Sequence, residues 1–218
     1  MIAVSPPTPF TPAQIRERVE QILTAGALPP IVQAGHPVLR QHAAAVDGQI
    51  SDTELQQLIG LMRNVMHEAP GVGLAAPQIG VPLQLAVLED QFDVDPESAA
   101  IRHRTPLDFL AILNPRYTPL GTETAAFFEG CLSLSGLQAV VVRHDRVLLQ
   151  FEAPDGRGTE QEFAGWQARI VQHETDHLQG TLYVDRAELR SLSSNAEYAA
   201  NWAEPGIGKA RAGLGFLP

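Results

Sequence analysis

Two histidines four residues apart, His173 and His177, are the residues of this chain that point most directly to chemistry. On a helix of about 3.6 residues per turn, this spacing places both imidazoles on one face, where they can approach one metal ion. They belong to the pattern HETDH, in which Glu174 adds a carboxylate that can accept a proton from water. The pattern predicts a metal-dependent hydrolase, although two histidines also occur at this spacing by chance.

A hydrolytic metal site usually has three protein ligands and one position for water, so a third ligand is needed. One protease pattern would place a third histidine six residues after His177, but Tyr183 stands there. Glu197, 20 residues after His177, fits the spacing of another protease class. Cys131 is the remaining candidate, although a lone cysteine between apolar residues is more often an inert packing residue.

The HETDH pattern lies within GWQARIVQHETDHLQG, which predicts a helix from about Gly165 to Gly180. Trp166 and Ile170 continue the face of the histidines, and Val171 and Leu178 form a second apolar line. We therefore expect this helix to be buried on most sides. Buried imidazoles are tolerated when they bind a metal ion.

Two further helices are predicted in the N-terminal part of the chain. One begins after the capping residue Thr11 and ends near Ala25, and the other begins after Ser51 and ends before Pro70-Gly71. Their apolar residues recur at helical spacing, so we interpret both as helices that cover the core. The Pro-rich residues 1–10 are predicted to form an extended arm.

Short β-type runs dominate the middle of the chain: VPLQLAVLE, FLAIL before Asn114-Pro115, QAVVV and RVLLQFE. The last run precedes the turn residues Pro154-Asp155-Gly156, and no helical segments separate the runs. This pattern favours antiparallel hairpins over parallel crossovers. Residues 90–108 are polar and are predicted to form a loop.

The composition predicts one acidic, globular domain that spans residues 1–218, with a C-terminal tail at 191–218. A net charge of −10 provides no basic surface for nucleic acid. No apolar run approaches the roughly 20 residues that span a bilayer, and the first ten residues do not resemble a signal peptide. We therefore predict a cytoplasmic protein without membrane contact. The single cysteine excludes an internal disulfide.

Three segments together resemble the signature motifs of the peptide deformylase family. They are GVGLAAPQ at 71–78, EGCLS at 129–133 and QHETDHLQG at 172–180, and the similarity extends over roughly residues 32–186. The resemblance implies an α+β fold in which antiparallel β-sheets pack around a central helix that carries HExxH, with N-terminal covering helices. It also implies Cys131 as the third metal ligand, with Fe²⁺ as the expected ion; Zn²⁺, Ni²⁺ or Co²⁺ suit the same ligands.

The resemblance further implies a reaction and its catalytic groups. The enzyme would hydrolyse the N-formyl group of N-formyl-methionyl nascent peptides and release formate. Glu174 is expected to accept a proton from water and to deliver it to the leaving amine. The side-chain amide of Gln78 and the backbone N–H of Leu132 are expected to stabilise charge on the formyl oxygen.

Further residues are expected at the substrate. Gly71 and Gly73 lack a Cβ and would allow a peptide backbone to approach closely. Glu129 would lie either behind the metal ligands or at the substrate rim, whereas Asp176 faces away from the histidines and would brace the helix. The candidates for an apolar methionine pocket, which also suit a plain core, are Val72, Phe127, Trp166 and Ile170.

The chain departs from the family pattern in two places. Many bacterial members carry Arg seven residues after the metal cysteine, where this chain has Gln138. The C-terminus does not resemble the long basic final helix of some bacterial relatives, so ribosome docking through such a helix is not supported. Two alternatives remain open: an endopeptidase that uses His173, His177 and Glu197, and a noncatalytic metal-binding module.

Overall fold

The computed structural model describes residues 10–217, in which six α-helices accompany two antiparallel β-sheets. The predicted arm at residues 1–10 lies, apart from its last residue, outside the described residues. The helices are α1 (Pro12–Thr24), α2 (Asp52–Glu68), α3 (Pro96–Ile101), α4 (Gly165–Leu178), α5 (Asn195–Glu197) and α6 (Gly208–Leu214). The strands are β1 (Gly73–Ala75), β2 (Leu85–Asp90), β3 (Leu107–Pro119), β4 (Thr124–Gly130), β5 (Leu137–His144), β6 (Arg146–Glu152), β7 (Gly158–Ala164) and β8 (Ser193–Ser194). Helices combined with antiparallel sheets confirm the predicted α+β class.

The larger sheet has five strands in the order β1-β2-β3-β6-β7. Its strand β2 is buried on both faces, because Leu85 and Val87 join the core under α1 and α2, whereas Ala86 and Leu88 join the core against α4. This two-sided burial explains why the sequence of β2 is a continuous apolar run without alternation.

The two N-terminal helices begin as predicted. Thr11 and Ser51 each form a capping box, with Gln14 and Glu54 respectively. Each box satisfies backbone N–H groups that the first turn of a helix leaves free. The apolar residues of both helices are buried in one core with residues of β1 and β2.

The smaller sheet has the strand order β4-β5-β8. Its strand β4 carries Glu129 and ends directly before the candidate metal ligand Cys131. In β4, Glu129 and Phe128 alternate between the two faces: Glu129 contacts α4, and Phe128 packs with Val140, Ala210 and Phe216. Residues 192–217, which belong to the predicted C-terminal tail, pack on this sheet. They fold through α5, a π-helical turn at Tyr198–Trp202 and α6 onto the outer face of this sheet.

Two expectations for the middle of the chain are wrong. The segment 90–108 contains helix α3, which Asp95 caps by accepting from the Ser98 N–H. Strand β3 also continues past Asn114-Pro115 with a shift in register, and Asn114 adopts a positive φ of 49°. The side chain of Asn114 accepts from Val46 N–H and donates to Glu152, and these bonds stabilise a bulge where proline is tolerated.

Helix α4 contacts strands of both sheets and begins directly after β7. Gly165 has a φ of 56°, and a Cβ there would lie 2.5 Å from the carbonyl oxygen of His103, so only glycine fits this start. Ten of the 14 residues of α4 are buried, which agrees with the expectation of burial on most sides. Within residues 10–217, no helix combines the length and the apolar character that a membrane crossing requires.

Candidate metal centre and active-site cavity

His173, His177 and Cys131 bring their ligand atoms together. The two histidines lie one turn apart on α4 with ring centroids 5.0 Å apart, and Cys131 follows the last residue of β4. The three ligand atoms lie within 4.8 Å of one another, and Cys131 Sγ is 3.2 Å from His177 Nε2. Among residues 10–217, this is the one group of three or more such side chains found with metal-binding spacing. One sulfur and two imidazole nitrogens suit a transition-metal ion.

Glu129 holds His173 in the orientation that a metal ligand needs. Its Oε2 is 2.9 Å from His173 Nδ1, and Arg143 donates to both carboxylate oxygens at 2.6 and 2.9 Å. Burial disfavours the charge of Glu129, but Arg143 and His173 outweigh burial and hold its pKa well below the usual range. The ionised carboxylate accepts from Nδ1 and thereby leaves Nε2 of His173 for a metal. Of the two roles considered for Glu129, this geometry supports the one behind the ligands.

Asp176 faces away from the metal ligands, as expected, and is buried in a polar network. It accepts from Arg143 at 2.8 Å, from Tyr117 Oη at 3.0 Å and from Arg186. Burial and the Asp176 charge raise the pKa of Tyr117 to about 12, so the phenol stays a donor. Glu129 and Asp176 together fix the side chain of Arg143, which reaches from β5 to α4.

Burial shifts the pKa values of Glu174 and His177, which follow His173 on α4. It raises the pKa of Glu174 to about 7, and the Oε2 of this carboxylate has no hydrogen-bond partner among the described residues. Burial also lowers the pKa of His177 well below its ordinary value, so the ring is neutral, the form that binds a metal ion. A carboxyl group that takes up and releases protons near neutral pH suits general acid–base chemistry.

Side chains of the protein itself lie close to Gly73 and Gly71. A Cβ on Gly73 would lie 2.3 Å from Glu174 Oε1, and a Cβ on Gly71 would lie 2.9 Å from Leu132 Cδ1. Our expectation explained both glycines by the approach of a peptide. The geometry gives a different reason for Gly73, because a side chain there would collide with Glu174.

Gln78 and Leu132 lie beside Cys131. Gln78 Oε1 accepts from the Ala75 N–H at 2.8 Å, so its amide nitrogen points to the site, 3.3 Å from Ser133 Oγ and 3.6 Å from Cys131 Sγ. The Leu132 carbonyl accepts a hydrogen bond from the side-chain amide of Gln33 at 3.0 Å. That bond fixes the peptide segment next to the cysteine.

A cavity of about 640 Å³ opens beside these groups and is large enough for several residues of a peptide. Phe127 is absent from its lining; it packs edge-on against Trp166, with ring centroids 6.1 Å apart. The other residues expected at the substrate line the cavity: Gly71, Val72, Gly73, Glu129, Trp166 and Ile170.

Several residues that line the cavity were not predicted. Arg102 comes from the end of α3, and Asn195 and Tyr198 come from the C-terminal segment. Gln138 donates to Asn195 Oδ1 at 3.1 Å. No sequence pattern places these residues at the site, because tertiary packing alone brings their segments to it.

The alternative third ligands lie elsewhere. The Glu197 side chain is exposed and accepts from Asn201 at 2.9 Å. Tyr183 stacks on His173 at an interplanar angle of 18°, but its hydroxyl donates to the Leu137 carbonyl at 3.1 Å. Neither residue belongs to the group that Cys131 forms with the histidines.

Comparison with known proteins agrees with this geometry. The family model described as polypeptide deformylase matches residues 28–192. The chain belongs to the peptide deformylase family. Peptide deformylase 1 of Streptomyces coelicolor is 52% identical over 96% of this chain and 96% of its own. The mitochondrial peptide deformylase of Homo sapiens is 37% identical over 75% of this chain and 70% of its own.

Solved structures of peptide deformylases share this fold. A class I type b peptide deformylase from Acinetobacter baumannii, bound to Met-Ala-Ser, superposes with a TM-score of 0.65 at 30% identity; the match covers 73% of this chain and 98% of that chain. The Synechococcus elongatus enzyme in complex with actinonin gives a TM-score of 0.64 at 34% identity, over 75% of this chain and 83% of that chain. Peptide deformylases are metal-dependent hydrolases that remove N-formyl groups. The predicted family, enzyme class and reaction are confirmed.

Proposed function

We propose that Cys131, His173 and His177 hold one Fe²⁺ and that the chain uses this centre to hydrolyse the N-formyl group of N-formyl-methionyl nascent peptides. The convergence of the three ligand atoms within 4.8 Å, next to the buried Glu174, is the observation that carries the proposal. When bound, such a metal ion acts as a Lewis acid that lowers the pKa of a water molecule and polarises the formyl carbonyl.

In this proposal Glu174 moves the proton. Its burial holds the carboxyl pKa at about 7, so it can accept the proton of the attacking water and later deliver it to the departing amine. The closeness of Gly73 supports this role, since the missing Cβ leaves Glu174 room beside the ligands.

The formyl oxygen is stabilised by donors on either side of Cys131. The Gln78 amide, oriented by Ala75, would donate from one side, and the Leu132 N–H from the other. Gln78 is buried and Leu132 is half-buried, and a hydrogen bond holds each segment, so the donors need little rearrangement as charge develops on the oxygen.

The methionine side chain enters the apolar part of the cavity. Val72, Trp166 and Ile170 line it, and Phe127 supports Trp166 from behind. The peptide that follows methionine would run past Gly71 and Leu132. We also interpret α4 as the central element of one catalytic domain, supported by its contacts with strands of both sheets. A location in the cytoplasm and the absence of direct nucleic-acid and membrane contact stay predictions. Ribosome contact is compatible with the proposal, but the C-terminus does not support it.

The experiment that tests this function measures formate release from formyl-Met-Ala-Ser, alongside casein cleavage, with protein purified without oxygen. The protein is stripped of metal and reloaded with Fe²⁺ or Zn²⁺ before the assay. We expect deformylation without casein cleavage, and faster turnover with Fe²⁺. Turnover with Zn²⁺ that equals or exceeds turnover with Fe²⁺ would reject iron as the working ion, and casein cleavage without deformylation would favour the endopeptidase.

A further inference from the structure

Three arginines surround Trp166 at one end of the cavity. The guanidinium carbons of Arg102, Arg104 and Arg169 lie 5.2, 5.5 and 5.8 Å from centroids of the indole ring. Arg102 and Arg169 also lie 5.9 and 5.2 Å from the Phe127 ring. A concentration of cations at one aromatic pair is unusual in a chain whose net charge is −10.

Two of these cations are neutralised by buried carboxylates. Arg104 donates to both oxygens of Asp90 at 2.8 and 2.7 Å. Arg169 donates to Glu129 at 2.5 Å and to backbone carbonyls at 3.0 and 2.6 Å. The charges of Arg104 and Arg169 are therefore paired with carboxylates of the protein itself.

Arg102 differs, because its partners are neutral. Nε donates to the Pro205 carbonyl at 2.9 Å and Nη2 donates to the Glu204 carbonyl at 3.3 Å, and within residues 10–217 it forms no salt bridge. A guanidinium carries five N–H donors, so three remain for another acceptor. The C-terminal segment thus holds the arginine against the cavity and leaves its charge unpaired by any carboxylate of the described chain.

The position of Arg102 matches the end of the first side chain of the substrate. Trp166 precedes His173 by seven residues, which is about 10 Å along a helix. Six bonds separate the formyl carbon from the terminal methyl of an extended methionine, a reach of about 8 Å. A side chain that starts at the metal ligands and lies along α4 therefore ends near Trp166 and Arg102.

We propose that Arg102 is a specificity-determining residue that extends the substrate range to formylated first residues whose side chains carry an oxygen acceptor near their end, foremost methionine sulfoxide, in which the oxygen is bonded to Sδ. The inference rests on the proposed function for the location of the side-chain pocket. A sulfoxide oxygen is a strong hydrogen-bond acceptor, whereas a thioether sulfur is weak. The remaining N–H groups of Arg102 can donate to this oxygen, and the apolar walls accept the methylene groups.

The test compares formyl-methionine-sulfoxide-Ala-Ser with formyl-norleucine-Ala-Ser, which has the same length but no acceptor. The ratio of their kcat/KM values is measured within each preparation, so a fraction of misfolded or metal-free enzyme cancels. The variants are Arg102→Met, which removes the donors, and Arg102→Lys, which keeps the charge. Arg157→Met, in a turn where the side chain is 75% exposed, is the matched control.

We expect Arg102→Met to lower the ratio by about 10- to 100-fold, the worth of one charge-assisted hydrogen bond. The loss should fall mainly on KM for the sulfoxide peptide, and kcat/KM for the norleucine peptide should change much less. Arg102→Lys should lower the ratio less, and Arg157→Met should leave it unchanged. An equal loss on both peptides, or equal ratios in the wild type and Arg102→Met, would overturn the proposal. A wild type that fails on formyl-Met-Ala-Ser would instead reject the proposed function.

Discussion

At the scale of single residues, three of the groups to which we assign a role in the proposed reaction have a neighbour that fixes or accommodates them. Glu129 orients His173, the Ala75 N–H orients Gln78, and Gly73 leaves space for Glu174. The catalytic groups themselves belong to recognisable sequence motifs. Their neighbours matter equally, since a catalytic group displaced by about 1 Å can lose about 100-fold in rate.

The role of Glu174 is tested by Glu174→Gln. The carboxylate is not a metal ligand in our proposal, so the variant should retain its metal. Deformylation should fall by about 10²- to 10⁴-fold, the usual contribution of general acid–base catalysis. Metal analysis and kcat, measured on the same sample, separate the two effects. Loss of metal from the variant would show that the role is misassigned.

The ligand set is tested by Cys131→Ala and Glu197→Gln. Removing the thiolate takes away one of three anchors, so metal content and deformylation should both collapse. Glu197 is exposed, and within residues 10–217 its carboxylate accepts a hydrogen bond only from Asn201, so its variant should retain both metal and activity. Metal titration and formate release check both variants. The opposite pattern would return the assignment to the endopeptidase.

The packing of Gly73 on Glu174 is tested by Gly73→Ala. A methyl group there would lie 2.3 Å from Oε1, so Glu174 or β1 must move. We expect kcat to fall by about 100-fold. Gly60→Ala is the matched control, because a Cβ at this position of α2 meets no atom within 4 Å, and it should leave kcat unchanged. A Gly73→Ala enzyme with full activity would refute the steric argument.

At the scale of elements, the C-terminal segment is the part that the sequence did not reveal. It covers β4 and β5, supplies Asn195 and Tyr198 to the cavity, and holds Arg102 through two carbonyls. None of these contacts has a periodic signal, because they depend on which segments meet after folding. The family model ends at residue 192, so the match does not extend to this segment.

Phe216→Ala tests whether this segment stabilises the molecule. Phe216 is 5% exposed and packs on Phe128 and Val140, so its truncation should cost about 3–5 kcal/mol of unfolding free energy. Because Arg102 is held by the same segment, KM for formyl-methionine-sulfoxide-Ala-Ser should rise as well. Chemical denaturation and steady-state kinetics check the two effects. Leu189→Ala, at a side chain that is 67% exposed, should change neither.

The other helices and strands could be predicted where their own sequence carries a clear pattern, and were missed where it does not. Helices α1 and α2 carry capping boxes, and RVLLQFE matches β6 residue for residue. Strand β7 escaped prediction because GTEQEFA is polar along an exposed edge, and β1 because it has only three residues. The proline after Asn114 suggested a strand end, but side-chain hydrogen bonds support a bulge there.

At the scale of the whole molecule, three sequence motifs that are far apart in the chain meet at one place. The first motif forms β1 and the turn to Gln78, the second ends β4, and the third lies on α4. Their meeting could be predicted only from the family resemblance, since periodicity says nothing of how sheets and helices are arranged. Buried ion pairs of Arg143 with Glu129 and Asp176 then join β4, β5 and α4.

The exposed position of β7 matters for the association of copies of this protein at high concentration. A sheet edge offers unpaired backbone groups to which another chain can add, and this is a common start of aggregation. The larger sheet ends at β1, which is buried and short, and at β7, which is exposed along much of its length. Glu160 places a negative charge along that edge, and Glu162 forms an exposed ion pair with Arg146 at 2.8 Å, so the edge carries charged side chains of the kind that disfavour the addition of another chain.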